Sequence, residues 1–476
     1  MPSPTLVRPA DLRREFSRRL SAMYAAEVPL YGELLAVVKQ VNHEAVVTRP
    51  ELGVHEDDVE RISAERHGAI RLGRDDELAA LARFFAVLGM HPVNTYDLSA
   101  AGAKSQPVLS TAFRAIAADE LEVSPLRMFC SLLRPDDERF FDDPELRRRV
   151  HAALARRDVI TPRLRGLLEA AESRGGLDEA EAEAFLAEGV ELFGWRGVAT
   201  DHALYEELRS RGLNIAADIC CFPNPHLNHL TPNTLDIDAV QARMQVLLDT
   251  EYRHLQAEMK DHIEGPPRRR HPLLLRQTSY KALTEPVRFD GAVAGRHTAR
   301  FGEIEQRGMA LTPRGRRLYD EALAQLEARR EQGLTELAGL PDDPDLLRRG
   351  GLAYFDYVVT PAGAVAPADG RPADLERLLA SGLVQARPIR YEDFLPVSAA
   401  GIFASNLRQA GARHPGESPH SQAELEAILG RPVLDSSTLY AAQEARSLLA
   451  VDRQLGLDLT ATARAELERA AAAVSG

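Results

Sequence analysis

Apolar positions along this chain repeat one order of elements twice. From Glu65, "ERHGAIRLG" reads as a strand, and the next run places Leu78, Leu81, Phe84, Phe85 and Leu88 at helical spacing. That stripe stops at Gly89, as a helix with a C-terminal glycine does. Three strand-like runs follow: "HPVNTYDL", "STAFRAI" and "LRMFCSLL". From His226 a similar order returns. "HLNHLTPNTLDID" offers a strand and an acidic turn, Val240, Met244, Leu247 and Leu248 form a helical stripe, and "HPLLLRQTSYKAL" and "ARFGEIEQRGMALT" read as strands. Residues 11–47 predict a helix, and 144–215 predict a helical insertion broken at "ESRGGLDEAE". Residues 314–349 predict another helical block. A mixed C-terminal part follows, with "GLAYFDYVV", the near-apolar loop "YEDFLPVSAAGIF" and a helical end.

These patterns predict an α+β fold carrying a duplicated βαβββ module. The expected boundaries are 1–60 for an N-terminal helical segment and 61–140 for the first module. A helical insertion takes 141–218, the second module with a metal site 219–313, and a helical and mixed C-terminal part 314–476, closing the pocket.

Composition narrows the function classes. With 476 residues, 45% hydrophobic and 27% charged, the chain can bury a sizeable core. A formal net charge of −13 argues against nucleic acid or an anionic membrane as partner. The basic clusters "PPRRRHP" and "LLRRGG" are short and embedded in acidic surroundings, so they read as solvated faces. Three cysteines, Cys130, Cys220 and Cys221, do not make a disulfide framework. The N-terminal stretch lacks the apolar core of a signal peptide, and no run of 18 apolar residues occurs. The expected location is the cytoplasm.

The candidate chemistry lies on the repeated strands. Alternate strand residues share a face, which puts His67, Ala69 and Arg71 on one side of "HGAIRLG". A planar guanidinium there suits bidentate binding of a substrate carboxylate. In the second copy, His226 and His229 fall on opposite strand faces. His229 is preferred, because its distance to the acidic turn resembles that of His67. In "GEIEQRG", Glu303 and Glu305 share a face, and periodicity does not choose between them. The plain alternative for one of them is an ion pair with Arg300 or Arg307. Two His and one carboxylate on a duplicated scaffold suit an open-sided non-haem Fe(II) centre. Competing motifs are weak: no nucleotide-binding glycine loop, zinc-protease helix or serine elbow occurs. "HPGESPH", with His414, Glu417 and His420, sits in a loop-like stretch, and Lys281 has no neighbour in sequence that would lower its pKa.

The two strand–helix units resemble the vicinal oxygen chelate superfamily, whose paired βαβββ modules form a half-open barrel around a metal. "GEIEQRG" resembles the last-strand motif of 4-hydroxyphenylpyruvate dioxygenase, in which the Glu before the Ile is a ligand. A fuller resemblance is to the 2-oxoadipate dioxygenase/decarboxylase family. It is carried by "EVPLYGELL", "ERHGAIRLG", "STAFR", "NHLTPNTLDID", "LLRQTS", "HTARFGEIEQRG", "LTPRGRRLYD" and "YEDFLPVSAAGIF", from about residue 27 to 403. The resemblance implies Fe(2+) on His67, His229 and Glu303, with Arg71 gripping the distal carboxylate of the substrate. It also implies Val397 and Ser398 lining the pocket. The implied reaction turns 2-oxoadipate and O2 into 2-hydroxyglutarate and CO2 in lysine catabolism, with a 2-oxo dicarboxylic acid and O2 as the small-molecule partners. Two alternatives stay open on sequence: a redox-neutral metal isomerase or lyase on the same fold, and a metal-free ligand-binding protein.

Overall fold

The run from Arg66 to Leu133 folds in the expected order. Strand β1 (Arg66–Leu72) leads into a helix at Asp75–Val87, then β2 (His91–Asp97), β3 (Val108–Arg114) and β4 (Leu126–Leu133). Asp75, Asp76 and Glu77 open the helix, where negative charge complements the exposed N–H groups of the first turn. Gly89, at φ +67°, closes it: its N–H and that of Met90 cap the carbonyls of Ala86 and Phe85. All five residues of the apolar stripe are fully buried.

This computed structural model describes residues 5–474 apart from 53, 101–104, 256, 261–262, 281–283, 299, 329–336, 366–372 and 395–418. The architecture is mixed α+β with several small sheets, none of them closed. β1 runs parallel to β4, which pairs antiparallel with β3, and β3 with β2.

The expected single N-terminal helix is two, Pro9–Glu27 and Tyr31–Thr48. Pro29 is the reason. It has no N–H to continue the ladder and forces Val28 into extended geometry (φ −105°, ψ 115°). Tyr24 of the first helix donates from its hydroxyl to the carbonyls of Asn228 and Phe301, tying this helix to the loops before the strands that carry His229 and Glu303. The insertion holds helices at Pro144–Ala155, Pro162–Arg174, Glu179–Phe193, His202–Ser210 and Asn214–Cys221, with a two-residue strand, β5 (Val198–Ala199), among them. Its predicted break falls at Gly175 and Gly176, both at positive φ, ahead of a capping box formed by Asp178 and Glu181.

The later part is less regular than its sequence pattern. β6 (His229–Pro232) pairs antiparallel with β1, completing a five-stranded sheet of order β2-β3-β4-β1-β6. A helix at Ile237–Asp249, capped by Asp236, precedes β7 (Leu275–Ser279). Next comes a hairpin that the apolar pattern did not reveal, β8 (Thr284–Phe289) with β9 (Val293–Thr298), turning at Asp290 and Gly291 with φ of 49° and 78°. Asp-Gly is a strong hairpin dipeptide because both positions need positive φ. The hairpin joins β5, leaving β7 to pair with β10 (Glu303–Arg307). A parallel bridge joins Asn233, just after β6, to Glu305 of β10.

The chain folds as two compact units. One is Met1–Glu264, Gln277–Gln306 and Phe394–Val433; the other is Gly265–Arg276, Arg307–Asp393 and Leu434–Gly476. The second contains the helix Pro313–Ala328 and the antiparallel pair β11 (Phe355–Val359) and β12 (Val384–Pro388). It ends in helices Ser436–Leu455 and Ala461–Ala472. Every described site residue lies in the first unit. Among the described residues, no helix is long and apolar enough to cross a membrane.

A candidate metal centre

Three strands bring the candidate ligands together. His67 sits on β1, His229 opens β6 directly beside it in register with Ala69, and Glu303 opens β10. All three are almost completely buried. His67 Nε2 lies 3.6 Å from Glu303 Oε1, and His229 Nε2 lies 3.7 Å from Glu303 Oε2. The ligand atoms of the three residues fall within 4.8 Å of one another. The two imidazoles stand perpendicular, with ring centroids 5.3 Å apart.

Neighbouring groups hold this arrangement. His67 Nδ1 is 2.6 Å from Glu305 Oε2, which directs the other ring nitrogen toward Glu303. Gln277 of β7 donates from its amide to Glu303 Oε1. The Phe394 ring packs edge-on against His67 at 5.0 Å and against Phe129 at 5.3 Å, walling one side with apolar surface. Glu303 and Glu305 thus share a face, as strand alternation requires, but serve differently. Glu303 faces both imidazoles, and Glu305 faces the rear of one.

The electrostatics suit a cation. Burial, reinforced by the charge of Glu305, pushes the Glu303 carboxyl well above its ordinary range. Burial, reinforced by His67, pushes His229 well below its ordinary value, leaving a neutral ring with a free lone pair. Both ring nitrogens of His229 and Oε2 of Glu303 are buried without a hydrogen-bond partner, an expensive state for polar atoms. Donors 3.6–3.7 Å apart match ligands that each lie about 2.0–2.2 Å from one shared ion. The residues therefore fit a divalent metal.

Arg71 reaches a neighbouring cluster. Its Nη1 donates to Asp218 Oδ2 at 2.7 Å. His226 lies ahead of β6 rather than on it, its N–H turned back to the Asn224 carbonyl, so strand alternation does not govern its direction. Its Nε2 is 3.4 Å from Asp218 Oδ1, and His297 Nε2 is 3.1 Å from that same oxygen. Burial raises the Asp218 carboxyl, but His226 and Arg71 outweigh it and hold the group well below its ordinary range. The alternative of an ion pair between Arg300 and Glu303 or Glu305 is not what the structure shows. Arg300 instead grips Glu27 and Glu285. Val397 and Ser398 lie outside the described residues, as do Lys281, His414 and Glu417.

Asp218, His297, Gln277 and Phe394 were not found from sequence. A lone acid in the apolar run "AADICC" was the available signal for Asp218, since an unpaired carboxylate is rarely buried. His297 and Gln277 carry no local signal, because their partners lie on other elements, Asp218 and Tyr205 on helices and Glu303 on β10.

Fold and site define a class: a mixed α+β enzyme with a buried candidate metal centre of two imidazoles and one carboxylate. Residues 16–406 match the family model described as 2-oxoadipate dioxygenase/decarboxylase. The chain belongs to that family. It is 45% identical over 477 residues to the 2-oxoadipate dioxygenase/decarboxylase of Pseudomonas putida, covering 96% of this chain and 99% of that one. With the protein of that name from Escherichia coli it shares 47% identity over 453 residues, 92% of this chain and 97% of the relative. Among solved structures, the hydroxyglutarate synthase of Pseudomonas putida in complex with 2-oxoadipate superposes with a TM-score of 0.83 at 44% identity. That match covers 95% of this chain and 99% of the other.

Proposed function

We propose that this chain converts 2-oxoadipate and O2 to 2-hydroxyglutarate and CO2, with ferrous iron held by His67, His229 and Glu303. The observation that carries the reading is the convergence of these three buried side chains, with both ring nitrogens of His229 and Oε2 of Glu303 lacking a hydrogen-bond partner, in a member of this family. Iron bound there would supply the redox chemistry that joins decarboxylation of the 2-oxo acid to its oxygenation. The atoms balance with one O2 and no added reductant, so no second organic substrate is needed.

The protein's own groups orient and enclose. Glu305 fixes the His67 ring, Gln277 fixes Glu303, and Phe394 with Phe129 excludes water from that side. Arg71, two alternate positions along β1 from His67, offers its remaining N–H groups to the distal carboxylate and keeps a two-step reaction in register. Val397 and Ser398 are assigned to the pocket lining by family resemblance. We read the fold as two modules, 61–140 and 219–313, forming a half-open barrel, with 1–60, 141–218 and 314–476 as additions around it. Two features support this: β1 lies parallel to β4 in the first module, and the parallel bridge from the end of β6 to β10 repeats that relation in the second. Three free, buried cysteines support a cytoplasmic setting.

The test is anaerobic reconstitution with Fe(II), then O2 uptake against a panel of 2-oxo acids. One O2 consumed and one CO2 released per 2-oxoadipate is expected. Losing a desolvated charge contact costs about 2–5 kcal/mol, so Arg71→Ala should lose roughly one and a half to four decades of kcat/KM on the diacid. Its discrimination against monocarboxylic 2-oxo acids should shrink as well. Turnover without O2 would favour the isomerase or lyase reading; a purified protein that binds no metal would favour a binding protein.

A further inference from the structure

Behind Arg71, the buried Asp218 carboxylate is surrounded by polar side chains. It lies on the helix Asn214–Cys221 and is 3% exposed. Its Oδ2 accepts from Arg71 Nη1 at 2.7 Å and from Asn228 Nδ2 at 3.1 Å. Its Oδ1 faces His297 Nε2 at 3.1 Å and His226 Nε2 at 3.4 Å. His297 is held in turn by the Tyr205 hydroxyl at Nδ1, 2.9 Å, and Trp195 packs against both imidazoles. Arg71 has no second acceptor among the described residues, and its side chain is 15% exposed, against 3–4% for Asp218, His226 and His297.

The two imidazoles and the carboxylate have the composition of a second cation site. Charge opposes that use. Asp218 is the one carboxylate of the cluster and its charge is already matched by Arg71, so a divalent ion would leave a buried excess of positive charge. What the geometry does build is an anchor at one nitrogen of the guanidinium, Nη1, with the other N–H groups not bound to Asp218.

We propose that Asp218, hydrogen-bonded to Asn228 and flanked by His226 and His297, is a positioning residue that aims Arg71 at the distal carboxylate and so sets the preference for a 2-oxo diacid. This rests on the Arg71 role proposed above. A guanidinium held at one nitrogen loses less freedom on binding a carboxylate than one tethered only by its own side chain. Removing the clamp should therefore weaken diacid binding while sparing steps that do not use the distal carboxylate.

The experiment compares steady-state kinetics of iron-loaded wild type, Asp218→Asn, Arg71→Ala and the double variant on 2-oxoadipate and 2-oxohexanoate, with iron content measured for each. Asp218→Asn is expected to raise KM for 2-oxoadipate at least tenfold. Its kcat should change less than threefold, its kinetics on 2-oxohexanoate should stay near wild type, and it should keep one metal per chain. In the Arg71→Ala background the same change should add little on the diacid, because the group being aimed is gone. Equal losses on both substrates, or additive losses in the double variant, would overturn the proposal. So would a second metal equivalent in wild type that Asp218→Asn removes. Should Asp218→Asn not fold, His297→Gln, which removes one support, must show the same KM-weighted, diacid-selective loss or the proposal fails. If Arg71→Ala itself keeps the diacid preference, the underlying role of Arg71 falls. An Arg71→Ala loss beside an unaffected Asp218→Asn rejects only the positioning role.

Discussion

Four side chains at the centre divide the work by which atom each presents. His67, His229 and Glu303 converge, whereas Glu305 meets the far nitrogen of His67 at 2.6 Å. Replacing any of the three by Ala is expected to abolish iron-dependent turnover, and iron content should fall with it. Glu305→Gln should keep a bound ion, because it removes an orienting contact only. Losses behind a metal ligand are typically 10–100-fold in affinity or activity. Titrating each variant with Fe(II) under anaerobic conditions checks this. If the Glu305 variant loses iron and the Glu303 variant keeps it, the roles within β10 are reversed.

At the scale of elements, β1 must be held still, since it carries both His67 and Arg71. The turn after it is pinned by Glu77, the third residue of the following helix. Glu77 Oε2 accepts from the Gly73 N–H at 2.8 Å, and Oε1 accepts from Arg157 Nε at 2.8 Å. Arg157 also donates to the carbonyls of Ile219 and Phe222, so one buried ion pair joins strand, helix and insertion. Glu77→Ala would strand a buried guanidinium, for which breaking such a pair typically costs about 3–5 kcal/mol. Urea unfolding should report a loss of that order. A loss below 1 kcal/mol would mean that Arg157 relaxes to water and that the pair does not brace β1.

For the whole molecule, the proposed metal site would link metal and pH through Glu303. Its carboxyl titrates in the fold well above the ordinary 4.5, with burial as the main cause. For a group raised in this way, the associated stability is fully present below about 4.5 and is lost as pH rises toward the raised value. Metal-free protein should therefore be penalised at neutral pH by a buried carboxylate, and a divalent ion should relieve that penalty. The rise in Tm on adding metal should be larger at pH 8 than at pH 5. At a free concentration a hundred times Kd, binding contributes about 2.7 kcal/mol. Calorimetry with and without metal at the two values measures it. An equal or larger shift at pH 5 would show that Glu303 is not the group exchanging its proton for metal.

The amino-acid sequence by itself determined the local order of elements wherever periodicity and capping agreed. The Leu78-to-Leu88 stripe with Gly89, the glycine break at 175 and 176, and the alternation that sets Glu303 and Glu305 on one face were all legible. The candidate ligands His67, His229 and Glu303 were reached by adding family resemblance to that pattern. Pro29 split a helix that apolar spacing alone had joined, through backbone chemistry an apolar count does not weigh. Only the tertiary structure decided that β6 lies beside β1, that β8 and β9 leave β7 to pair with β10, and that Glu305 backs His67. It also brought His226 and His297 around the Asp218 carboxylate behind Arg71. Those contacts join residues up to 238 positions apart, and periodicity, which relates a residue only to neighbours on its own element, contains no information about which distant strand edge will be opposite.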